Sequence, residues 1–539
     1  MTKKHSIHRL GPILASVLLL GTSACRDLAP EPTGVDPAGF LATKGGTDPM
    51  SRVHPLPASL EMKVQRLRAD LEARGYDVAR GYWTLWGAED CKYPLRTVGF
   101  CYGNNPAAPY LFAVVPQWKD EFVEQSFHHA VLTAQRNMSA TFRLGEQEAL
   151  VVLAEMPPSA RYFGIATNVF TRQTTLNRSD FVYEYLKDQP VLRSILFTPS
   201  PNPSRLMMLA SIGNTTNNVV MERRSGAPWG QQRYFVITPD AGTADAITAA
   251  LVRAGAGSAD DVFTEPVAPA LVRLGLGPVK DDLFTYARYA MPDDSLAGER
   301  WRQQLPLTIL RVRPGSGAGQ PEPFGIPAYT QRTVNLDERV LAGDLAALVN
   351  AVRTRWDQPE APLGHFFSAY LTLDLIGQHC LGHPNADRGP MNCLADNPDT
   401  DYQVVGPPLH IDDEEVIAVV GTLATATGNA TYVSLGINRF PALVGVANLS
   451  DRNLDGSAVR FQGWLQHDAR MFYVYYVARD CTGLDPCLEI SRKLFPLGET
   501  LKFMQRNYVT PGSTIGPDPA RLLNPIAITL KGGVRPTIY

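Results

Sequence analysis

Apolar residues recur along this chain with two periods. Over residues 59–75, SLEMKVQRLRADLEARG, Leu60, Val64, Leu67 and Leu71 fall at helical spacing, with Ser59 as candidate cap and Gly75 placed to end the helix. ATFRLGEQEALVVLAEMPPSARYFGIATNVFTR predicts a strand, a turn at Pro157-Pro158 and a returning strand. RLMMLASIGNTTNN and QRYFVITP predict two more strands, and PDAGTADAITAALVRAGAG a helix capped by Asp240 or Thr243 and closed by glycines. DLFTYARYAMP and QLPLTILRVRP are again strands. NLDERVLAGDLAALVNAVRTRW then predicts a second amphipathic helix, with Leu341, Leu345, Leu348, Val352 and Trp356 near one face. EEVIAVVGTLATATGNATYVSLGINRF, ALVGVANLS, MFYVYYVARDC and IAITL complete the strand signals. GYWTLWGAEDCKYPLRTVGFCYGNNPAAPYLFAVVP is aromatic and turn-rich.

The two halves of this pattern look alike. EALVVLAEMPPSARYFGIATNVFTR parallels EVIAVVGTLATATGNATYVSLGINRF: an acidic residue starts an apolar strand, a turn follows, and an aromatic begins the returning strand. MMLASIGNTTNN parallels LVGVANLSDRNLDG, and RYFVITPD parallels FYVYYVARD. The spacing agrees between the last two elements, and the first half needs an insertion near LNRSDFVYEYLKDQP. The expected fold is β-rich α+β, with two sandwich-like lobes from a duplicated domain and a few amphipathic helices. The lobes are expected at 58–312 and 334–539, joined by a Pro- and Gly-rich linker at 313–333.

TFRLGEQEALVVLAEMPPSARYFGIATNVF and DEEVIAVVGTLATATGNATYVSLGINRF are similar to segments of a family of secreted proteins with no assigned activity. The resemblance runs from about residue 140 onward. It implies a class and brings no catalytic residues with it.

The first residues, MTKKHSIHRLGPILASVLLLGTSAC, carry Lys3, Lys4 and Arg9 ahead of an apolar core too short to span a bilayer. Thr22, Ser23, Ala24 and Cys25 resemble the lipobox of bacterial lipoproteins, although Thr22 stands where Leu is usual. That resemblance implies cleavage after residue 24, lipidation of Cys25 and membrane attachment through the lipid. Arg26 in place of an Asp after the cysteine implies the outer membrane. Residues 25–57 have no apolar period and suit a flexible tether.

Composition narrows the partners. The chain is 45% hydrophobic and 19% charged with a formal net charge of −3 and no long basic run, which argues against a nucleic-acid partner. A mature chain of about 515 residues suggests two domains or three. Setting Cys25 aside leaves six cysteines in three close pairs: Cys91 with Cys101, Cys380 with Cys393, and Cys481 with Cys487. Six cysteines allow fifteen connectivities, so local pairing is a preference grounded in an oxidising compartment.

Candidate chemistry is sparse. GQHCLGHPNADRGPMNC holds His379, Cys380, His383 and Cys393, but its cysteines lack the close spacing of a zinc cluster, so a disulfide loop is the expected reading. In DRNLDGSAVRFQ, Asp451, Asn453 and Asp455 before Gly456 resemble the first positions of a calcium loop. Gln462 stands where the bidentate carboxylate belongs, and a tight turn suits the same residues. Beyond that candidate no cofactor is expected. ADNPDTDYQ, with Asp396, Asp399 and Asp401, reads as a solvated loop, and LHIDDEEV as a solvated strand start around His410, Asp412, Asp413, Glu414 and Glu415. His128 and His129 cannot share one face of a strand. Tyr82, Trp83, Trp86, Tyr93 and Phe100 form either a sugar-stacking platform or the small core of the first cystine. No nucleophile elbow, His-Glu-x-x-His or phosphate-binding glycine loop is present.

The functional expectation is therefore an envelope-anchored lipoprotein that binds or scaffolds a glycan or protein ligand. The competing expectation is a secreted hydrolase acting on an extracellular or cell-envelope polymer such as a glycan. A cleft gathering Asp, Glu or His from both lobes would favour the enzyme, and an apolar or aromatic surface would favour binding.

Overall fold

Apolar runs such as ALVVLAE and FYVYYVA become strands buried on both faces, which requires a layer above and below each sheet. The computed structural model describes residues 54–532 except 87, 102–104, 106, 107, 123–136, 199–201, 203, 316–318 and 383–388. The leader, Cys25, most of the tether, His128, His129 and His383 lie outside the described residues.

Two sheets account for the strands. The first holds β1 (Tyr76–Leu85), β2 (Tyr110–Pro116), β3 (Met138–Ser139), β4 (Ala149–Glu155), β5 (Ala160–Gln173), β6 (Arg205–Ser211), β7 (Thr216–Asn217), β8 (Gln232–Thr238), β9 (Val262–Pro266), β10 (Asp282–Pro292) and β11 (Leu307–Pro314). The second holds β12 (Leu363–Ser368), β13 (Thr400–Gly406), β14 (Glu415–Thr422), β15 (Tyr432–Phe440), β16 (Val444–Ser450), β17 (Phe472–Ala478), β18 (Cys487–Glu489), β19 (Thr500–Tyr508) and β20 (Ile526–Lys531).

Their spatial orders are β6-β5-β10-β2-β1-β11-β4-β8-β9 and β16-β15-β19-β13-β12-β20-β14-β17-β18. With the two-residue strands β3 and β7 set aside, each strand of one sheet occupies the place of its counterpart in the other. The closing pairs, β8 with β9 and β17 with β18, are parallel in both sheets, among otherwise antiparallel neighbours. The duplication expected from the sequence is therefore present strand for strand. The predicted insertion is present too: helices Phe181–Tyr185 and Pro190–Leu196 fill the interval between β5 and β6, whereas only residues 441–443 separate β15 from β16.

Each sheet is curled into a half-barrel. One face of the first gathers Trp83, Ala113, Val152, Ile165, Met208, Phe235 and Ile309 into one core, and one face of the second gathers Phe366, Val419, Leu435, Tyr475 and Phe503. Helices cover the other face of the β4 and β14 regions. Leu60, Val64, Leu67 and Leu71 of the helix Ala58–Ala73, with Ile247 and Leu251 of the helix Ala241–Ala254, pack on Val151, Val236 and Leu310. Leu345, Leu348, Val352 and Trp356 pack likewise on Val416, Val474 and Ile528. Each such side chain contributes roughly 2 kcal/mol of hydrophobic stabilisation before ordering costs.

Local signals account for most helix ends. Asp240 caps its helix by accepting from the Thr243 amide at 2.8 Å, and Gly255, at φ 104°, closes it in the left-handed region that suits glycine. Ser59 departs from its predicted role. The helix starts one residue earlier, after Pro57, and the Ser59 hydroxyl instead accepts from Gln232 Nε2 at 3.1 Å. Pro57 stands at the N-cap in extended backbone, at ψ 140°, and no side chain caps the helix.

The three cystines are Cys91–Cys101, Cys380–Cys393 and Cys481–Cys487, each joining the near neighbours expected. They point to an oxidising, extracytoplasmic compartment. Among the described residues no helix is long and apolar enough to cross a membrane.

Candidate functional site

The site is a cleft between the lobes, and its wall follows from strand alternation. Side chains two apart on a strand share a face. Thr400, Tyr402 and Val404 of β13 therefore stand beside Lys502, Met504 and Arg506 of β19, with Tyr402 opposite Arg506 and Val404 opposite Met504. The intervening residues point into the second lobe and form a buried amide ladder. Gln403 Oε1 accepts from both Gln505 Nε2 and Asn507 Nδ2 at 3.1 Å, and Tyr473 Oη donates to Gln505 Oε1 at 2.6 Å. A one-residue slip would orphan these groups and turn the wall inside out, so the ladder holds the register.

The remaining sides come from four other places. Ile195 belongs to the helices inserted in the first lobe, Tyr110 opens β2, Phe440 and Leu443 flank the β15–β16 turn, and Tyr329 and Arg332 come from the linker. The cleft is partly open to solvent, and its lining is mostly apolar. Beside it lies a second, smaller space lined by Trp86, Phe112, Phe170, Phe284 and Tyr286, which shares Tyr110 and Ala395 with the cleft. Its rings pack on one another, with Phe284 stacked 5.3 Å from Tyr286 and 5.9 Å from Phe112.

The floor is the segment that follows the second cystine. It runs beside β6: the amides of Cys393 and Ala395 donate to the Met208 and Leu209 carbonyls at 2.7 and 2.9 Å. Leu394 and Ala395 lie in the left-handed region, at φ 56° and 55°, a conformation that costs a non-glycine residue of order 1 kcal/mol or more and must be held by its surroundings. The holding group is Asp396. Its Oδ1 accepts from the Ser211 amide at 2.8 Å, and its Oδ2 accepts from the Ser211 hydroxyl at 2.6 Å and the Gly377 amide at 2.8 Å.

Here the structure corrects the sequence reading. ADNPDTDYQ is not a solvated loop: Asp396, Asp399 and Asp401 are 7%, 1% and 0% exposed. Burial pushes their carboxyls up, to about 6 for Asp396, about 7 for Asp399 and about 6 for Asp401. Asp399 accepts from Tyr162 Oη of the first lobe at 2.9 Å, and Asp401 from Ser368 Oγ at 2.8 Å. Loop-like composition misled because Asp396 and Asp399 meet partners across the lobe boundary, and Asp401 meets Ser368 within its own lobe.

Lys502 is the conspicuous cation. It is 7% exposed, lies 5.1 Å above the Phe440 ring, and burial lowers its pKa to about 8. Among the described residues no carboxylate or other acceptor is bonded to its ammonium. Arg332 lies 4.4 Å over the Tyr370 ring and donates to the Thr400 and Pro517 carbonyls, and Arg506 lies 5.9 Å over Tyr402. Asp396 is the one carboxylate of the described lining, which contains no histidine.

The other sequence candidates sit elsewhere. His379 Nδ1 is 2.9 Å from Asp374 Oδ1. His410, Asp412, Asp413 and Glu414 are exposed, as a strand start predicts. Tyr82, Trp86 and Phe100 pack into the core of the first cystine, while Trp83 joins the opposite face; the side chain of Tyr93 lies outside the described residues. Asp451 begins a helical turn, Asn453 Oδ1 accepts from the Ser450 amide and hydroxyl, and Asp455 follows the turn. No group of three or more His, Cys, Asp or Glu that could hold a metal occurs among the described residues. Sequence reasoning passed over Lys502 and Arg506, although TLKFMQRNY alternates with cations on one face of an apolar strand.

No family model and no curated protein matches this chain. A crystal structure of an uncharacterized protein from Burkholderia cenocepacia aligns over 91% of this chain and 92% of that one, at 12% identity and a TM-score of 0.34. At that level of similarity it carries no argument about this chain's activity.

Proposed function

We propose that this chain is a lipid-anchored binding protein of the bacterial cell envelope, a receptor for a small, largely hydrophobic organic molecule held in the cleft between the lobes. The observation that carries the reading is the cleft's composition. It is walled by aromatic and aliphatic side chains from both lobes and the linker, as small-molecule sites generally are. Its single described carboxylate already accepts three hydrogen bonds. Acid–base hydrolysis of a glycan would call on two carboxylates flanking the scissile bond, so the lining favours binding over hydrolysis. The leader, Cys25 and Arg26 support attachment to the outer membrane through lipid, and the three cystines agree with export.

The neutral fluorophore N-phenyl-1-naphthylamine tests the cleft. The protein should bind it saturably, and Thr330→Trp, at an exposed lining position of the linker, should weaken binding about tenfold. Absence of saturable binding, or equal binding by the variant, would remove the cleft from the function. Cys25→Ala should move the protein from the membrane fraction to the soluble one; unchanged fractionation would remove the anchor.

A further inference from the structure

We infer that the molecule held in the cleft is an amphiphilic organic acid, and that Lys502 is the residue that pairs with its anionic group. This rests on the binding reading above and goes beyond it by naming the ligand's charge and the residue that reads it.

Three observations converge on Lys502. First, its place is built. β19 carries it on the same face as Met504 and Arg506, the amide ladder behind fixes the register, and the side chain lines the cleft while only 7% exposed. Second, no counter-ion meets its charge among the described residues. Among the described residues its only close polar or charged interaction is with the face of Phe440 at 5.1 Å, and burial is the sole cause that displaces its pKa downward. A buried ammonium without a counter-ion is costly, and a ligand anion would relieve that cost when it binds. Third, cations outnumber carboxylates in the described lining. Arg332, Lys502 and Arg506 line the cleft against Asp396 alone, and Asp396 is occupied by Ser211 and Gly377.

The rest of the site suits an apolar body. Phe440 and Leu443, which lie on Lys502's side of the cleft, pack with Trp86 and Phe284 of the aromatic chamber, and Tyr110 and Ala395 border both spaces. A ligand with its acid on Lys502 has an apolar, ring-lined space for the remainder. No bond is made or broken; recognition is ion pairing plus burial.

A matched pair of probes tests this. 8-Anilinonaphthalene-1-sulfonate and N-phenyl-1-naphthylamine share one ring system and differ by the sulfonate. Fluorescence titration of the purified protein should show the sulfonate binding about tenfold or more tighter than the neutral probe. Lys502→Met should bring the ratio of the two affinities close to one, and Lys502→Arg should keep most of it; the neutral probe reports in each variant whether the cleft is still formed. Equal affinities in the unmodified protein, or a preference that survives Lys502→Met, would overturn the assignment of Lys502 and leave the hydrophobic cleft standing. Failure of both probes to bind would overturn the binding reading and this inference together.

Discussion

Asp399→Asn tests the energetics of the lobe boundary. Asp399 is 1% exposed, and burial outweighs the hydrogen bonds from Asn217 and Tyr162, raising its carboxyl to about 7. An aspartate in the unfolded chain releases its proton near 3.9. Between those values the folded state holds a proton that the unfolded chain has lost, so stability is greatest at low pH and falls as pH rises through this window. A displacement of about three units at 1.36 kcal/mol per unit makes the protein about 4 kcal/mol less stable at pH 8 than the same protein with a neutral group there. Asparagine has the same shape, stays neutral, and keeps an oxygen to accept from Tyr162. With an unfolding entropy of about 2 cal/mol/K per residue over roughly 490 residues, the variant should melt about 4 °C above the parent at pH 8. Near pH 4 the two should melt within about 1 °C of each other. Scanning calorimetry at the two pH values measures both. If the variant melts below the parent at pH 8, the carboxylate is ionised and stabilised by its neighbours, and the assignment of desolvation as the dominant effect is wrong.

Other perturbations probe the scaffold around the cleft. Replacing Cys380 and Cys393 by serine opens a loop of sequence separation 13, which should cost about 3 kcal/mol and, by freeing the cleft floor, weaken naphthylamine binding; unchanged binding would show that the floor holds without the cystine. Asp282 accepts from Arg143 Nε and Arg205 Nη2, both at 3.0 Å, in a fully buried triad. Asp282→Ala should therefore cost about 3 to 5 kcal/mol by removing the buried carboxylate that both guanidinium groups share, read as a lowered urea midpoint, and a change under 1 kcal/mol would contradict it. A Cβ on Gly377 would overlap the backbone of Ser211, separating the Gly377 amide from Asp396. Gly377→Ala should lower the melting temperature and reduce probe affinity together, whereas an effect on neither would show that the contact can shift freely.

The sequence reported local structure well. Helical spacing identified the faces of the helices Ala58–Ala73 and Ala342–Arg355, and strand alternation, compared between the halves, matched β4, β5, β6 and β8 with β14, β15, β16 and β17. Even the insertion in the first half was legible as extra length. Other strands were passed over. β1 and β2 lay in the aromatic, turn-rich stretch, and β13 and β19 carry charged and amide residues at buried positions.

What this chain's residues determined alone was everything governed by near neighbours: periodicity, helix ends, the pairing preference of cysteines a few residues apart, and the repetition of one pattern. The cleft belongs to the other class. Lys502 faces it because β19 pairs with β13 about a hundred residues earlier, and because the second lobe packs its outer face on the first. Both faces of these strands are buried, so alternation alone cannot distinguish the side that fills a lobe from the side that lines a cleft. Asp396 and Asp399 make the same point: their partners Ser211 and Tyr162 come from the other half of the chain, and only their meeting in space turned a water-loving composition into a buried boundary.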